Sequence, residues 1–402
     1  MRVLMLHPAA SFGGASKSLC EFAAQVVSSE IELHVICPLG RAADSFTSVG
    51  MKVRPVRGLS QFDNTRYGHY RGVRWLVLLR ELALLPFSLA ALWRARRDGG
   101  FDLIHVNEIT LLPLGLLAKK LLSVPLVVHV RSLQHCRGPI SYWIGHRLQH
   151  DADAVIAIDE TVKRTLPRWV DADVIHNGLA VGAAPVQGAQ PVFRVGIVGL
   201  LLKLKGVYEF VEAARILLKE RGVQAEFWIV GENARSVRGL KGWLLRKLDF
   251  ARDVRQELQD AIERDGLGGA VLLKGFQADV QAVYRQLDVL CFPSHLDAAG
   301  RPVFEAAFFG LPSIVAVRNP PPDTIVHGET GLCIKGPDPL ALADAIERLY
   351  RAPELCKQLG RNARTLAETN FDITRNACKV LALYRRVLAR AGSGSTGSQQ
   401  IS

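Results

Sequence analysis

The stretch His295-Leu296-Asp297-Ala298-Ala299-Gly300-Arg301-Pro302-Val303-Phe304-Glu305-Ala306-Ala307-Phe308-Phe309-Gly310-Leu311-Pro312 carries its own start and stop signals. Pro302 suits the first turn of a helix, where a backbone N–H has no intrahelical partner to lose. Gly310 suits the position just past the helix end, and Pro312 blocks any continuation. Ser313-Ile314-Val315-Ala316-Val317 then reads as a buried strand. The spacing predicts loop, short helix, strand, with Gly300 and Arg301 at the helix mouth. A helix N-terminus offers N–H groups and a partial positive charge, which suits a phosphate. Arg301 adds a full charge there.

Glu305 falls about one turn into this helix, and Asp297 stands eight positions before it in the loop. Two carboxylates beside an anion-friendly helix mouth repel a phosphate. They suit hydroxyl groups, because an ionised carboxylate is a strong acceptor. A ligand with a diphosphate in its middle and polyols at both ends meets these demands, as a sugar nucleotide does. An ordinary amphipathic helix with one solvated Glu shares the same local grammar, so the rest of the chain has to decide.

Around this stretch the order strand, glycine, loop, helix recurs. Residues 193–199 read as a strand, 200–206 as a loop carrying Lys203 and Lys205, and 207–220 as an amphipathic helix. Residues 225–232, 271–276 and 289–294 are further strands. Residues 234–255 are basic, carry Trp243 and Phe250, and read as a solvated helix pair or as a second surface that touches membrane or acceptor. Residues 340–350, 352–366 and 373–391 are helical, and 392–402 form a Gly/Ser/Gln-rich tail expected to be disordered.

The N-terminal half repeats the pattern. Residues 1–8 form a short buried strand, too soon broken by Pro8 for a signal peptide. Gly13 and Gly14 then turn the chain into a helix over 18–27, the opening of a Rossmann-like unit, where ligands sit. Strands follow at 33–37, 52–56, 101–106, 125–132, 154–158 and 174–178, with a buried helix over 111–122. In an open parallel sheet the strand C-terminal ends face the ligand crevice. Arg131, at such an end, is a candidate for contact with a phosphate or an acceptor, whereas His129 suits a satisfied core position equally well.

Residues 71–97 mix Trp75, Phe87, Trp93 and many leucines with Arg71, Arg74, Arg80, Arg94, Arg96 and Arg97. The uncharged part is too short to span a bilayer and Pro86 interrupts it. A basic helix with Trp and Leu on its apolar side can lie on an anionic membrane surface. A core-facing helix with a solvated rim has the same composition.

The chain has 402 residues, 49% hydrophobic and 22% charged, which describes a globular protein of two ordinary domains. Residues 180–191, rich in Ala, Gly, Gln and Pro, read as the linker. The seven cysteines, Cys20, Cys37, Cys136, Cys291, Cys333, Cys356 and Cys378, are scattered and show no CxxC spacing. That argues against a zinc site or a disulfide framework and for a reducing compartment. The net charge of +12 admits anionic partners. With no zinc finger, RRM-type box or helix-turn-helix signal, nucleic acid ranks last.

These residues in this order resemble the retaining glycosyltransferases of family 4, which have the GT-B fold. That family surrounds a Gly-x-Pro-Val segment with two acids eight positions apart. Here they are Asp297, Gly300-Arg301-Pro302-Val303 and Glu305. Asn177-Gly178, Gly199, Lys205-Gly206, Gly275-Phe276, Pro293-Ser294 and Gly328-Glu329-Thr330-Gly331-Leu332 also fall where the family expects them. The match runs from Gly13-Gly14 to Phe371.

The resemblance implies an α/β chain of two Rossmann-like parallel-sheet domains facing across a cleft, with a C-terminal helix crossing back. The expected divisions are an acceptor-binding domain over 1–180 and a linker over 181–191. A nucleotide-sugar-binding domain over 192–371, a crossover helix over 372–391 and a tail over 392–402 follow. It implies that Glu305 holds the donor ribose and Asp297 the transferred sugar. The backbone around Arg301, Pro302 and Val303 would cradle the diphosphate and Lys205 would neutralise it. The backbone near Gly275 and Phe276 would read the base, and Gly199, Ser294 and Gly300 would complete the donor site. Gly13-Gly14 would close over the phosphates or the sugar, and Arg131 would lie near the acceptor or the anomeric centre. No metal or cofactor is expected, since Lys and helix termini stabilise the leaving group.

Three positions depart from the family pattern. Asp297 replaces the usual Glu, setting its carboxylate about one methylene further back. Leu200 stands where an Arg usually pairs with the Lys on the diphosphate. A charge-assisted hydrogen bond is worth roughly 1.5–3 kcal/mol and a helix terminus about 0.3–2, so Arg301 or Lys203 is the candidate replacement. Arg131 replaces a common His.

The expected function is a cytoplasmic, peripheral-membrane hexosyltransferase of polysaccharide, lipopolysaccharide or capsule biosynthesis. It would move a sugar from a nucleoside-diphosphate donor to a hydroxyl of a glycan or lipid-linked acceptor. The rivals are an epimerase or hydrolase on the same fold, a non-catalytic scaffold of a glycan-assembly complex, and a membrane-surface structural protein.

Overall fold

The computed structural model describes residues 1–28, 30–66, 68–70, 72–180, 192–233 and 253–396. The linker over 181–191, most of the basic segment with Trp243 and Phe250, Arg71, and residues 397–402 of the tail lie outside the described residues. The chain divides into two compact units, Met1–Ala180 with Asn370–Ser402, and Val181–Thr369.

The first unit is built on a seven-stranded parallel sheet. Its strands are β1 (Arg2–Leu6), β2 (Glu32–Pro38), β3 (Lys52–Val56), β4 (Leu103–Val106), β5 (Leu126–Val130), β6 (Ala154–Ala157) and β7 (Asp173–Val174). They lie in the order β3-β2-β1-β4-β5-β6-β7. The unbroken apolar run of β1 follows from burial on both faces. Val3 and Met5 enter one core cluster, and Leu4 and Leu6 the other. This is the period of two that a pleated strand imposes.

The second unit has a six-stranded parallel sheet of β8 (Phe193–Val198), β9 (Ala225–Val230), β10 (Val271–Gly275), β11 (Val289–Phe292), β12 (Ser313–Ala316) and β13 (Gly331–Ile334). Their order is β10-β9-β8-β11-β12-β13. Phe227 and Ile229 face one core, and Trp228 and Val230 the other. Both sheets reverse their strand order once, between β1 and β4 and between β8 and β11. Crevices for ligands open at the strand C-terminal ends of such switch points.

The sequence elements are found with shifted ends. The last strand of the first unit is only Asp173–Val174, not 174–178. The helix over 207–220 closes with a π turn at Ile216–Glu220. Strand β13 carries no period of its own and was not expected. The C-terminal helix runs Ile373–Thr396 and packs on the first unit, so residues 392–396 are helical rather than part of a disordered tail. Helix extension is cheap once nucleated, and the buried Leu383, Tyr384 and Val387 anchor the preceding turns. That offsets Gly392 and Gly394, each about 1 kcal/mol worse than Ala in a helix.

Candidate active site

In the second unit the chain leaving β8 turns at Gly199 (φ 145°) and reaches Gly206 (φ 76°), where the Val207–Arg215 helix begins. A Cβ at Gly206 would lie 1.9 Å from the Pro293 carbonyl oxygen, so only glycine lets this loop approach the end of β11. Two bonds knit the loops together. The Ser294 hydroxyl and the His295 N–H both donate to the Leu204 carbonyl, at 3.1 and 3.0 Å. Gly199, Leu200, Lys205 and Phe292 line a recess of about 10 Å³ at the switch point.

Lys205 enters this recess with its Nζ 5.0 Å from the Phe292 ring centre. Burial pulls its pKa below the usual lysine value. Among the described residues no carboxylate pairs with it. A desolvated cation with only an aromatic face beside it suits an anion.

The Cζ end of the Phe292 ring lies against the helix mouth. A Cβ at Gly300 would lie 2.4 Å from Phe292 Cζ. The helix runs Arg301–Phe308 with Gly300 as N-cap, no side-chain cap and Pro302 in its first turn. Gly310 (φ 68°) follows the Phe309 cap as the spacing predicts. Val303 N–H donates to the Gly300 carbonyl at 2.9 Å, so it is already engaged in the first turn.

Glu305 is buried and both of its oxygens are used. The Tyr284 hydroxyl donates to Oε2 at 2.9 Å and Arg301 Nε donates to Oε1 at 2.7 Å. Arg301 therefore reaches along its own helix to the carboxylate. The sequence reading aimed it outward as a phosphate ligand. Burial first, and the Glu305 charge second, push the Tyr284 phenol well above the ordinary 10, so it stays a donor. An ionised carboxylate oxygen can accept more than one hydrogen bond. Asp297 sits in the left-handed region (φ 52°) and accepts the Arg318 N–H at 3.0 Å. A non-glycine residue there costs of order 1–3 kcal/mol, a strain concentrated at functional loops. Gly275 (φ 67°) ends β10, and the Phe276 ring after it is 69% exposed, free to meet a flat ligand. Leu200 is also exposed, at 54%.

In the first unit the switch point gathers His7, Asn107, Arg131 and Asn177. Arg131 Nε donates to the carbonyl and the side-chain oxygen of Asn107, both at 3.0 Å. Its Nη2 donates to Asn107 Oδ1 at 2.8 Å and to His129 Nδ1 at 3.2 Å, and Nη1 to Asn177 Oδ1. Asn107 Nδ2 donates to His7 Nδ1 at 2.8 Å, so His7 Nε2 carries the proton given to Ser16 Oγ at 3.0 Å. Burial, with the Arg131 charge adding to it, lowers His7 and His105 to about 3 and His129 well below 6.5. The guanidinium is thus a fixed cation ringed by neutral imidazoles. Gly13 caps the Gly14–Val26 helix, and a Cβ at Gly13 or Gly14 would meet nothing within 4 Å.

The expected donor residues Gly199, Lys205, Gly275, Phe276, Ser294, Gly300, Arg301, Pro302, Val303 and Glu305 all lie in the second unit at strand C-terminal ends. Gly13, Gly14 and Arg131 lie at the corresponding end of the first. Sequence reasoning missed Tyr284 and the Asn107–His7 pair. His7 and Asn107 follow strands directly, which was a usable signal. Tyr284 gave none.

Two doubly wound units, each with a cation near its switch point, make up the GT-B fold. The chain belongs to the group 1 glycosyltransferases. The family profile "Glycosyl transferases group 1" matches residues 189–366, and "Glycosyl transferase 4-like domain" matches residues 13–178. D-inositol 3-phosphate glycosyltransferase of Paenarthrobacter aurescens is 30% identical over 56% of this chain and 51% of its own length. The capsular polysaccharide biosynthesis glycosyltransferase CapM of Staphylococcus aureus is 26% identical over 45% and 42%. The matches thus span about half the length of these two relatives. Among solved structures, HepE of Anabaena in complex with UDP and glucose superposes with a TM-score of 0.70 at 20% identity, covering 95% of this chain and 99% of that one. At that identity the likeness establishes the fold.

Proposed function

We propose that this chain is a retaining, metal-independent glycosyltransferase. It takes a sugar from a nucleoside-diphosphate donor and places it on a hydroxyl of a glycan or lipid-linked acceptor. The observation that carries the reading is Lys205, a desolvated ammonium with no carboxylate partner among the described residues. It shares the Phe292 ring with the Gly300–Arg301 helix mouth. Lys205 and the helix terminus stabilise the departing diphosphate and take the role a metal ion has elsewhere. Glu305 accepts the ribose hydroxyls, Asp297 accepts hydroxyls of the transferred sugar, and the segment at Gly275-Phe276 meets the base. In the transfer the anomeric carbon–phosphate oxygen bond breaks and the acceptor oxygen bonds from the same face. The acceptor proton passes to the departing phosphate. Arg131 and the Gly13-Gly14 turn serve the acceptor and the transferred sugar. UDP-glucose is the first donor to test, because the Anabaena neighbour holds UDP and glucose. The CapM name favours a polysaccharide acceptor.

The exposed Leu200 in place of a phosphate-pairing Arg, together with Asp297, keeps a non-catalytic scaffold as the second reading. A Glu305→Ala variant separates them. A transferase loses turnover, while a scaffold keeps its partners and had no turnover to lose.

We further infer that the enzyme works at the cytoplasmic face of a membrane. All seven cysteines are unpaired, as a reducing compartment requires. Although its uncharged part alone is too short, the whole Arg74–Asp98 segment is long and apolar enough to cross a bilayer, with only 22% of its most apolar window buried. Its exposed residues Trp75, Leu79, Leu82, Leu89 and Trp93 recur at helical spacing along one side. Glu81, Ser88, Leu92 and Ala95 face inward, so the helix lies along the unit and does not stand free in lipid. Arginines at its ends add about 1 kcal/mol each on an anionic surface. Flotation with phosphatidylglycerol vesicles tests this. The wild type floats, and Leu79→Glu/Leu82→Glu does not. Equal flotation of both removes the inference.

A further inference from the structure

In the first unit the hydrogen bonds around Arg131 continue past Asn107 to the glycine turn between β1 and the Gly14–Val26 helix. Arg131 Nε and Nη2 reach Asn107 Oδ1 at 3.0 and 2.8 Å, and Asn107 Nδ2 reaches His7 Nδ1 at 2.8 Å. His7 Nε2 reaches Ser16 Oγ at 3.0 Å, and Ser16 Oγ reaches the Ser11 carbonyl at 3.1 Å. Asn107, His7 and Ser16 are all buried, so bulk water does not compete for these bonds.

The direction of every bond in this chain is fixed. A guanidinium has N–H donors and no acceptor, so Asn107 must turn its carbonyl oxygen to Arg131. The amide nitrogen then faces His7 and donates, which makes His7 Nδ1 the bare nitrogen. Burial first, and the Arg131 charge second, keep this ring neutral. Its one proton therefore sits on Nε2 and goes to Ser16. The Ser16 hydroxyl accepts that proton's bond and donates its own to the Ser11 carbonyl, which can only accept. All the donors thus point from Arg131 toward the turn, and bonds aligned head to tail strengthen one another. The His7 ring is held edge-on to Phe46, with ring centres 5.0 Å apart. Packing does little for the turn itself, since a Cβ at Gly13 or Gly14 would meet nothing within 4 Å.

We propose that His7 is a positioning residue that sets the Gly13-Gly14 turn and the Arg131 guanidinium relative to one another. This role rests on the glycosyl-transfer reading, in which the turn and Arg131 serve the transferred sugar and the acceptor. His7 acts through Asn107 and Ser16. An imidazole suits the task because it accepts on one edge of a rigid ring and donates on the other. Two groups that must meet the same reacting centre lose rate when one drifts from the other. The relay removes that drift.

The test uses the full-length protein. Nitrogen NMR of the wild type is expected to show His7 with its proton on Nε2 and a bare Nδ1. Ser16→Ala cuts the relay at the turn, with His7 and Asn107 still between the cut and Arg131. In that variant the Arg131 Nε–H resonance should shift, and amide exchange over residues 12–15 should speed up about fivefold or more. Turnover of whichever UDP-, GDP-, ADP- or dTDP-sugar the wild type hydrolyses should fall about fivefold or more. Affinity for the matching nucleoside diphosphate should stay within about twofold. His7→Gln, which keeps a nitrogen for Ser16 and loses the bond from Asn107, should behave alike and decides if Ser16→Ala does not fold. A wild-type proton on Nδ1 overturns the proposal. So does an unmoved Arg131 resonance, a turnover within about twofold of wild type, or a loss of turnover matched by an equal loss of nucleotide affinity. A wild type that hydrolyses no donor counts against the transfer reading instead, and the Arg131 resonance and amide exchange then decide the relay alone.

Discussion

Glu305 is held at both carboxylate oxygens, by the Tyr284 hydroxyl and by Arg301. Tyr284→Phe removes a buried bond to a charged group, so it should cost about 1.5–3 kcal/mol in urea unfolding. A change below a few tenths would show that the bond contributes nothing net. Gly300→Ala drives a methyl into the Phe292 ring. Overpacking of this kind costs about 1–3 kcal/mol. Since Phe292 also carries Lys205, nucleotide affinity should fall with stability in titration calorimetry. A third expectation concerns acid. His7 and His105 sit near 3 and His129 well below the ordinary 6.5, because burial disfavours the imidazolium. The unfolded chain thus takes protons first. The stability these rings lend is whole above pH 6.5 and is lost as the pH falls through 6.5 toward 3. His7 and His105 should each cost about 2 kcal/mol at pH 5. His7→Gln should lower the pH slope of unfolding by about one proton, measured in urea melts from pH 7 to 5. At this scale the acids, the glycines and Lys205 were legible because a short loop and a helix mouth fix them locally. The Arg301–Glu305 pair was legible too, at the helical spacing of four residues. The sequence reading gave Arg301 to the phosphate instead. Tyr284 comes from another element and had no local signal.

The C-terminal helix shows what an element adds that no single residue does. It ties residue 384 to residue 105 through Tyr384 and His105, and it buries Ala377, Val380, Leu383 and Val387 in the core of the first unit. A stop after residue 391 should leave the melting temperature within about 2 °C. A stop after residue 372 should leave the first unit unfolded by circular dichroism, since it strips those large side chains from the core. If the shorter chain melted like the full one, the helix would be an accessory. Its start and amphipathic period were readable, but its end was not. Glycine and serine in the last turns read as a tail, and only the packed turns before them carry the helix to Thr396. The Val77–Asp98 helix was readable in the same partial way. Composition gave a basic apolar helix and left open which side faces the core. The buried Glu81, Ser88 and Leu92 settle that, and tertiary contact alone could do so.

At the scale of the whole molecule, each unit carries a parallel sheet with one reversal of strand order; Lys205 and the Arg301–Phe308 helix mouth fall at the reversal of the second sheet, while Gly275, with Phe276 after it, ends its edge strand β10. Alternation of strand and helix made the two parallel sheets legible, because parallel strands need crossovers. Strand order was not legible, since it depends on which apolar faces pair at long range. Family membership then turns two crevices into one expectation about chemistry. The most direct measurement of it is donor turnover by the full-length protein. UDP-, GDP-, ADP- and dTDP-sugars are supplied in turn, while NMR follows the released nucleotide and the first anomer formed. The account predicts slow release from one donor with the anomeric configuration kept. Glu305→Ala should slow it by about 10–150-fold, the equivalent of a charge-assisted bond. Release from no donor, together with no rise in melting temperature from any nucleotide, would contradict it.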